Sequence, residues 1–153
     1  LRTNKTYFLL LTLLLLGTCR LASQTPATVS FLTVNDGLSQ GMILNILQSR
    51  HGFIWMATKD GLNHFDGTRF EVFSPDPFAP FAIRGSEVRE LFEDRRGWIW
   101  VSHPEGLDVL EPASGRFFHL KNKGNPLFTE HFAETPDGSV WFTYDNKVWK
   151  VSI

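Results

Sequence analysis

Short apolar runs of four to seven residues, parted by polar turns, set the pattern of the chain from Met42 onward. Met42 to Gln48 is the first run, followed by a polar turn at Arg50-His51-Gly52. Phe53 to Thr58 is the second, closed by Asp60-Gly61. Leu62 to Phe65 is the third, closed by Asp66-Gly67, and Arg69 to Phe73 alternates as a fourth. Asp-Gly readily takes the positive φ angles that tight hairpins require. The pattern predicts four short antiparallel strands. Helical spacing at i, i+3, i+4 is not sustained anywhere after the first 23 residues.

The pattern then repeats. Gly52-Phe53-Ile54-Trp55, Gly97-Trp98-Ile99-Trp100 and Gly138-Ser139-Val140-Trp141 align at offsets of 45 and 41 residues. Ile43 matches Val88, Ile46 matches Leu91, Leu47 matches Phe92, and Gly61-Leu62 matches Gly106-Leu107. A period of roughly 40–45 residues with four strands per unit is that of propeller blades. The second strand of each unit is apolar on both faces, as in Phe53 to Met56 and Trp98 to Val101, which predicts a strand enclosed between neighbouring blades. The repeated Trp side chains are expected in that inter-blade core. The competing reading is an aromatic platform for a sugar ring. The fold expected is all-β: an incomplete β-propeller arc of about three four-stranded blades over residues 24–153, preceded by a signal peptide at 1–23.

The leader rests on Arg2 and Lys5 followed by Tyr7 to Leu16, a basic segment and then about ten apolar residues. Cleavage is expected after Ala22 or Ser23. Arg20 cuts the apolar run short of the roughly 20 residues a spanning helix needs, so an uncleaved anchor is the lesser alternative. Leu16-Gly17-Thr18-Cys19 leaves a lipidated Cys19 open as another. The chain opens on Leu1 rather than Met, and its count of units falls short of the four to eight blades of a closed ring. Both features lead to the expectation of an N-terminal piece of a longer protein, ending in the third strand of the third unit.

Charge and composition remove some functions. Fifteen basic and sixteen acidic residues give −1. Loss of Arg2, Lys5 and Arg20 with the leader lowers the basic count to 12, for −4. No basic field draws the chain to nucleic acid. The single Cys excludes an internal disulfide or a Cys-based zinc site. Aromatic residues reach 14%, in keeping with β-structure.

Asp36-Gly37-Leu38-Ser39, Gly52 to Thr58, Asp60 to Gly67, Phe92 to Trp100 and, more loosely, Thr135 to Trp141 resemble two-component regulator propeller repeats. The resemblance runs from Ser30 to the end. It implies the periplasmic sensor region of a hybrid two-component histidine kinase, many of which sense polysaccharide breakdown products. It also implies a strand at Ser30 to Val34 that joins the last blade of a ring. The partners it implies are the remaining blades and the kinase region of the same protein, an oligosaccharide ligand, and a second copy in a homodimer anchored in the inner membrane. Ser49 departs from the family, which usually has Asp there. His103-Pro104 and Asn146-Lys147 depart as well, replacing small polar residues and a Gly-Leu pair.

Catalytic motifs are not found: no nucleophile elbow, P-loop, dinucleotide fingerprint or H-E-x-x-H. His51, His64, His103, His119 and His131 fall on different parts of the units and are not expected to form a metal site. Asp36, Asp60, Asp66 and Asp137 each precede a Gly and are expected to bond their own turns. Glu90, Glu93, Asp94, Arg95 and Arg96 are expected to form a mixed solvated face. No catalytic, cofactor-binding or metal-ligating residue is assigned, no cofactor is expected, and the ligand-binding residues are left open. The leading function is a sensing or scaffold segment of a two-component sensor. The alternatives are a secreted β-propeller polysaccharide-active enzyme and a secreted or lipidated propeller adaptor.

Overall fold

The computed structural model describes residues 27–129 and 131–152. The leader at 1–23, with Cys19, lies outside the described residues. Among the described residues no helix is long and apolar enough to cross a membrane. Residues 32–153 make one compact unit, built from strands with one 3-10 turn at Val34–Asp36.

Three antiparallel sheets follow one another along the chain. The first is β1 (Ile43–Gln48), β2 (Ile54–Thr58), β3 (Gly61–Phe65) and β4 (Phe70–Phe73), paired in sequence order. The four apolar runs of the sequence therefore become four strands. The second sheet holds β5 (Glu90–Glu93), β6 (Ile99–His103), β7 (Gly106–Glu111) and β8 (Arg116–Asn122). It adds a fifth, β9 (Asn125–Pro126), where the chain folds back on β8. That fifth strand corrects the expectation of four. The third sheet is β10 (Phe132–Glu134), β11 (Val140–Tyr144) and β12 (Lys147–Val151). The hairpin between β11 and β12 turns through Asp145 (φ 52°) and Asn146 (φ 56°), so Asn supplies the left-handed conformation that Gly supplies in the other units. These sheets are blades 1 to 3 of a β-propeller arc.

Alternation along the second strands explains the stacking. Trp55 and Ala57 of β2 face forward and meet Ile99 and Val101 of β6, together with Leu62, Leu91, Leu110 and Phe117. Trp100 of β6 faces the other way and joins Leu107, Val109, Val140 and Phe142 between blades 2 and 3. Each enclosed aliphatic or aromatic side chain contributes about 1.5–3 kcal/mol to holding its blades together. Blade 2 is thus covered on both faces.

Ser30 to Val34, implied as a strand only where a last blade pairs with it, has no such neighbour here and forms no strand. Thr33 caps the 3-10 turn: its hydroxyl accepts from Asn35 N–H, while Asp36 accepts from Thr33 N–H at 2.7 Å. The chain then lies on the rear face of blade 1. There Ser39 N–H donates to Asn63 Oδ1 at 2.9 Å, and the Ser39 and Thr58 hydroxyls meet at 3.0 Å. Phe31, Leu32 and Val34 are apolar and exposed here, with no neighbouring strand to pair with.

Candidate functional site

The repeated tryptophans are core, not platform. Trp55 is 3% exposed, with its ring between His64 at 4.4 Å and Phe73 at 6.0 Å between centroids. Trp100 is fully buried, and its Nε1–H donates to Asp94 Oδ2 at 3.1 Å. Trp100 leaves no ring face open to a sugar, and Trp55 shows only 3% of its surface. Trp141 is half-buried, with Lys150 over its ring at 5.4 Å.

Asp94, just before the β5–β6 turn, closes that turn. Its side chain is enclosed, and it accepts from the N–H groups of Arg96 (2.9 Å) and Trp98 (3.1 Å) and from the Arg96 guanidinium. Burial opposes its charge, but the bonds from Arg96, Trp100 and the turn backbone outweigh burial and hold the carboxyl below its usual range. Ser49 replaces it in blade 1, with its hydroxyl donating to Phe53 C=O at 3.3 Å. Thr135 replaces it in blade 3 and accepts from Trp141 Nε1–H at 3.1 Å.

Of the acids and arginines read as one solvated face, Glu93 and Arg95 form joints between blades, while Arg96 pairs with Asp94 inside blade 2. Arg50 N–H donates to Glu93 Oε2 at 2.8 Å, and Arg50 Nε lies 3.2 Å from Oε1. Arg50 also reaches the carbonyls of Asp94 and Arg95. One unit later, Arg95 N–H donates to Glu134 Oε2 at 2.9 Å, with Nε 3.3 Å from Oε1. Both glutamate side chains are largely buried. Blades 1 and 2 thus each grip the following blade with an arginine.

Of the four turn aspartates, two behave as expected. Asp66 accepts from Thr68 and Arg69 N–H, and Asp137 from Ser139 N–H. Asp36 instead reaches back to Thr33. At Asp60 the side chain does not close the turn: its backbone N–H donates to Thr58 Oγ1 at 3.1 Å.

Two features flank the joint between blades 1 and 2. At one end of the blades a cleft of about 360 Å³ opens among the β1–β2, β5–β6 and β7–β8 turns. Trp55 and Ile99 form its floor, Phe53 and Trp98 its walls, and His51, Arg96 and Glu111 its rim. Arg96 lies over the Trp98 ring at 4.8 Å. Its carboxylates are engaged internally, Glu93 by Arg50 and Glu111 by the Ser114 hydroxyl at 2.6 Å. The cleft can hold a small group but presents no acid and base set across a bond.

At the opposite end, His103 and His119 meet on Asp108, a convergence the sequence spacing did not reveal. His64 sits on β3 beside Glu71 at 3.5 Å, while His51 and His131 are exposed. Among the described residues no three His, Cys, Asp or Glu side chains are placed to hold a metal ion.

No family model matches the chain. A computed superposition with the extracellular domain of a hybrid two-component system from B. thetaiotaomicron covers 81% of the chain at a TM-score of 0.70 and 28% identity. The chain is similar to the extracellular domain of a hybrid two-component system. The extracellular domain of a one-component system from B. thetaiotaomicron superposes over 84% at 0.64, with 17% identity, and shares the fold. Histidine kinase P4 of Formosa agariphila is 45% identical over 42 residues, 28% of this chain and 3% of that protein. The chain spans about a fifth of the length of each of the two extracellular domains. A streptogramin B lyase shares the fold at 0.51 and 18% identity, over 76% of this chain. The resemblance drawn from the Gly-Phe-Ile-Trp boxes is borne out, and the architecture is that of such extracellular domains.

Proposed function

We propose that the chain forms the first blades of a larger propeller, in the periplasmic sensor region of a two-component sensor that answers to carbohydrate breakdown products. The observation that carries the reading is the match to a hybrid two-component extracellular domain at 28% identity over 81% of the chain. The identity with a histidine kinase over 42 residues supports the same pathway. In this reading residues 1–23 direct export, and the parent is anchored in the inner membrane and dimerises. These blades act as a scaffold and carry no catalytic step. Their repeated boxes are accounted for by packing: Trp55 and Trp100 fill the inter-blade core, and Asp94 bonds the turn backbone and Arg96.

The test uses the parent protein that carries this chain. Purified parent is titrated with oligosaccharide fractions and with the intact polysaccharides they come from, read by thermal shift and by a transcriptional reporter in the host. A shift and a response with one oligosaccharide fraction, absent with its parent polysaccharide, is the result expected. A parent that responds to no carbohydrate fraction in either readout removes the carbohydrate assignment.

A further inference from the structure

The loop that leads from β4 into β5 runs alongside β8 of blade 2. Phe117 N–H donates to Phe81 C=O at 2.9 Å, and Arg84 N–H donates to Asp108 Oδ2 at 2.8 Å, so the loop is tied to the blade at two places. Strand alternation puts Phe117, His119 and Lys121 on one face of β8. Phe117 enters the core between the blades. Further along the strand, His119 and Lys121 line an open cleft of about 410 Å³ together with Pro80, Phe81 and Arg84 of the loop.

The charge in this cleft is unanswered. Most arginines and lysines of the chain pair with a carboxylate, but Arg84 and Lys121 pair with none among the described residues. Arg84 is half-buried, so its guanidinium gives up part of its hydration without an acceptor in return. No carboxylate lines the cleft. Asp108, behind it, is 1% exposed and is engaged by His119 and the Arg84 amide. Asp76, in the adjoining hollow, accepts from Phe78 N–H at 2.8 Å. His119 is aimed from below: its Nδ1 lies 2.7 Å from Asp108 Oδ1 and donates to that carboxylate, which turns Nε2 away from Asp108 toward the cleft. The repeat does not require this pair, since blade 1 has Val72 opposite Asn63 where blade 2 has His119 opposite Asp108. Phe81 is 41% exposed, with Arg116 over its ring at 3.6 Å, and with Pro80 it gives the cleft an apolar wall.

We infer that this cleft binds a uronic-acid residue of an acidic oligosaccharide: Arg84 takes the carboxylate, Lys121 adds charge beside it, His119 accepts from a neighbouring hydroxyl, and the C–H face of the sugar lies on Pro80 and Phe81. Each element of the cleft narrows the class of ligand. A guanidinium fork matches a carboxylate with two parallel bonds. The Nε2 of a neutral imidazole is an acceptor, which suits a ligand with hydroxyls beside its charge and offers nothing to a sulfate ion. An apolar wall with a few convergent polar groups fits a ring rather than a bare anion. On the carbohydrate-sensing reading above, on which this assignment rests, the cleft adds the charge of the fragment and its place beside β8.

The experiment is calorimetric titration of the purified parent protein that carries this chain. The probes are trimers of galacturonate, glucuronate and mannuronate, each beside its methyl ester, in which the same rings carry no charge, and a neutral oligosaccharide fraction. Wild type binds one acid trimer about tenfold or more tighter than its ester. Arg84→Gln lowers affinity for that acid about tenfold and leaves the ester as in wild type. Lys121→Gln lowers it about threefold, in keeping with an exposed charge. Lys123→Gln, on the β8–β9 turn outside the cleft, changes nothing. Melting temperatures of the variants match wild type, because the Arg84 amide that holds Asp108 is kept and Lys121 is exposed. Acid and ester bound alike, or an acid trimer bound by Arg84→Gln and Lys121→Gln as by wild type, overturns the cleft and leaves the carbohydrate reading standing. Binding of the neutral fraction with no trimer bound does the same. No binding of any carbohydrate removes the reading and the cleft together.

Discussion

Thr58, not the aspartate beside it, holds the corner of blade 1. Its hydroxyl donates to Gly61 C=O at 2.9 Å, accepts from Asp60 N–H, and meets Ser39 Oγ at 3.0 Å. It is fully buried. Thr58→Val leaves those partners unsatisfied and costs about 1–3 kcal/mol, whereas Asp60→Ala at the exposed turn costs under about 0.5 kcal/mol. Denaturant melts of the two variants check the order, and a larger loss at Asp60 would contradict it. Trp55→Ala and Trp100→Ala each open a cavity between blades and cost about 3–5 kcal/mol. In the parent sensor, ligand affinity per folded molecule stays as in wild type, as titration of the purified variants would show; a variant that keeps its melting point but loses ligand returns the tryptophans to the platform reading. Asp94 has a sign that can be worked through. Its folded carboxyl is held below the unfolded value, near 3.9 for Asp, so its contribution is present above about pH 4 and is lost as pH falls through the folded value. Asp94→Asn therefore flattens the acid limb of a stability–pH curve below about pH 4, and an unchanged limb would refute the assignment.

Strands were legible in the sequence because each signal was local. Asp60-Gly61 and Asp66-Gly67 mark two of the turns of blade 1, and strand boundaries follow within one residue. The glycines at those turns are not equivalent. Both have positive φ, 101° at Gly61 and 99° at Gly67, but a Cβ at Gly61 would stand 2.5 Å from the Phe73 carbonyl oxygen, while Gly67 has open space. Gly67→Ala costs about 1–2 kcal/mol for the backbone conformation alone, and Gly61→Ala costs distinctly more; equal losses in thermal melts would mean that β4 does not lie where it is placed. What the sequence did not show depends on partners far along the chain. β9 is two residues long and contains Pro126, so no alternation announces it. Glu93 looks like part of a solvated face until Arg50, 43 residues earlier, is brought against it. The signal was available: Arg50 and Arg95 share one repeat position, and Glu93 and Glu134 share another. His103 and His119 meet only through β6–β7–β8 register, and the hint was Asp108, a lone acid inside the apolar run Leu107 to Leu110.

Across the whole molecule, stability is a sum over joints rather than over blades. Glu134→Gln weakens the joint between blades 2 and 3 by about 1–2 kcal/mol, discounted for the half-exposed Arg95. Hydrogen exchange should then quicken in β10 to β12 and stay as in wild type in β1 to β4; uniform quickening would show that the joints are not separable. Export is tested at the same scale. A reporter fused after Ser23 should reach the periplasm of a Gram-negative host, and Leu13→Arg with Leu14→Arg should retain it, since each charge opposes insertion by about 2.5–3.5 kcal/mol. Equal export of both fusions would end the leader assignment. The arginine grip also has a direction. Arg50 and Arg95 each reach forward, but Pro136 occupies the corresponding place in blade 3, with neither an amide hydrogen nor a guanidinium to offer. The blades are therefore keyed rather than interchangeable parts. Whatever seats on the forward side of blade 3 joins it without that key.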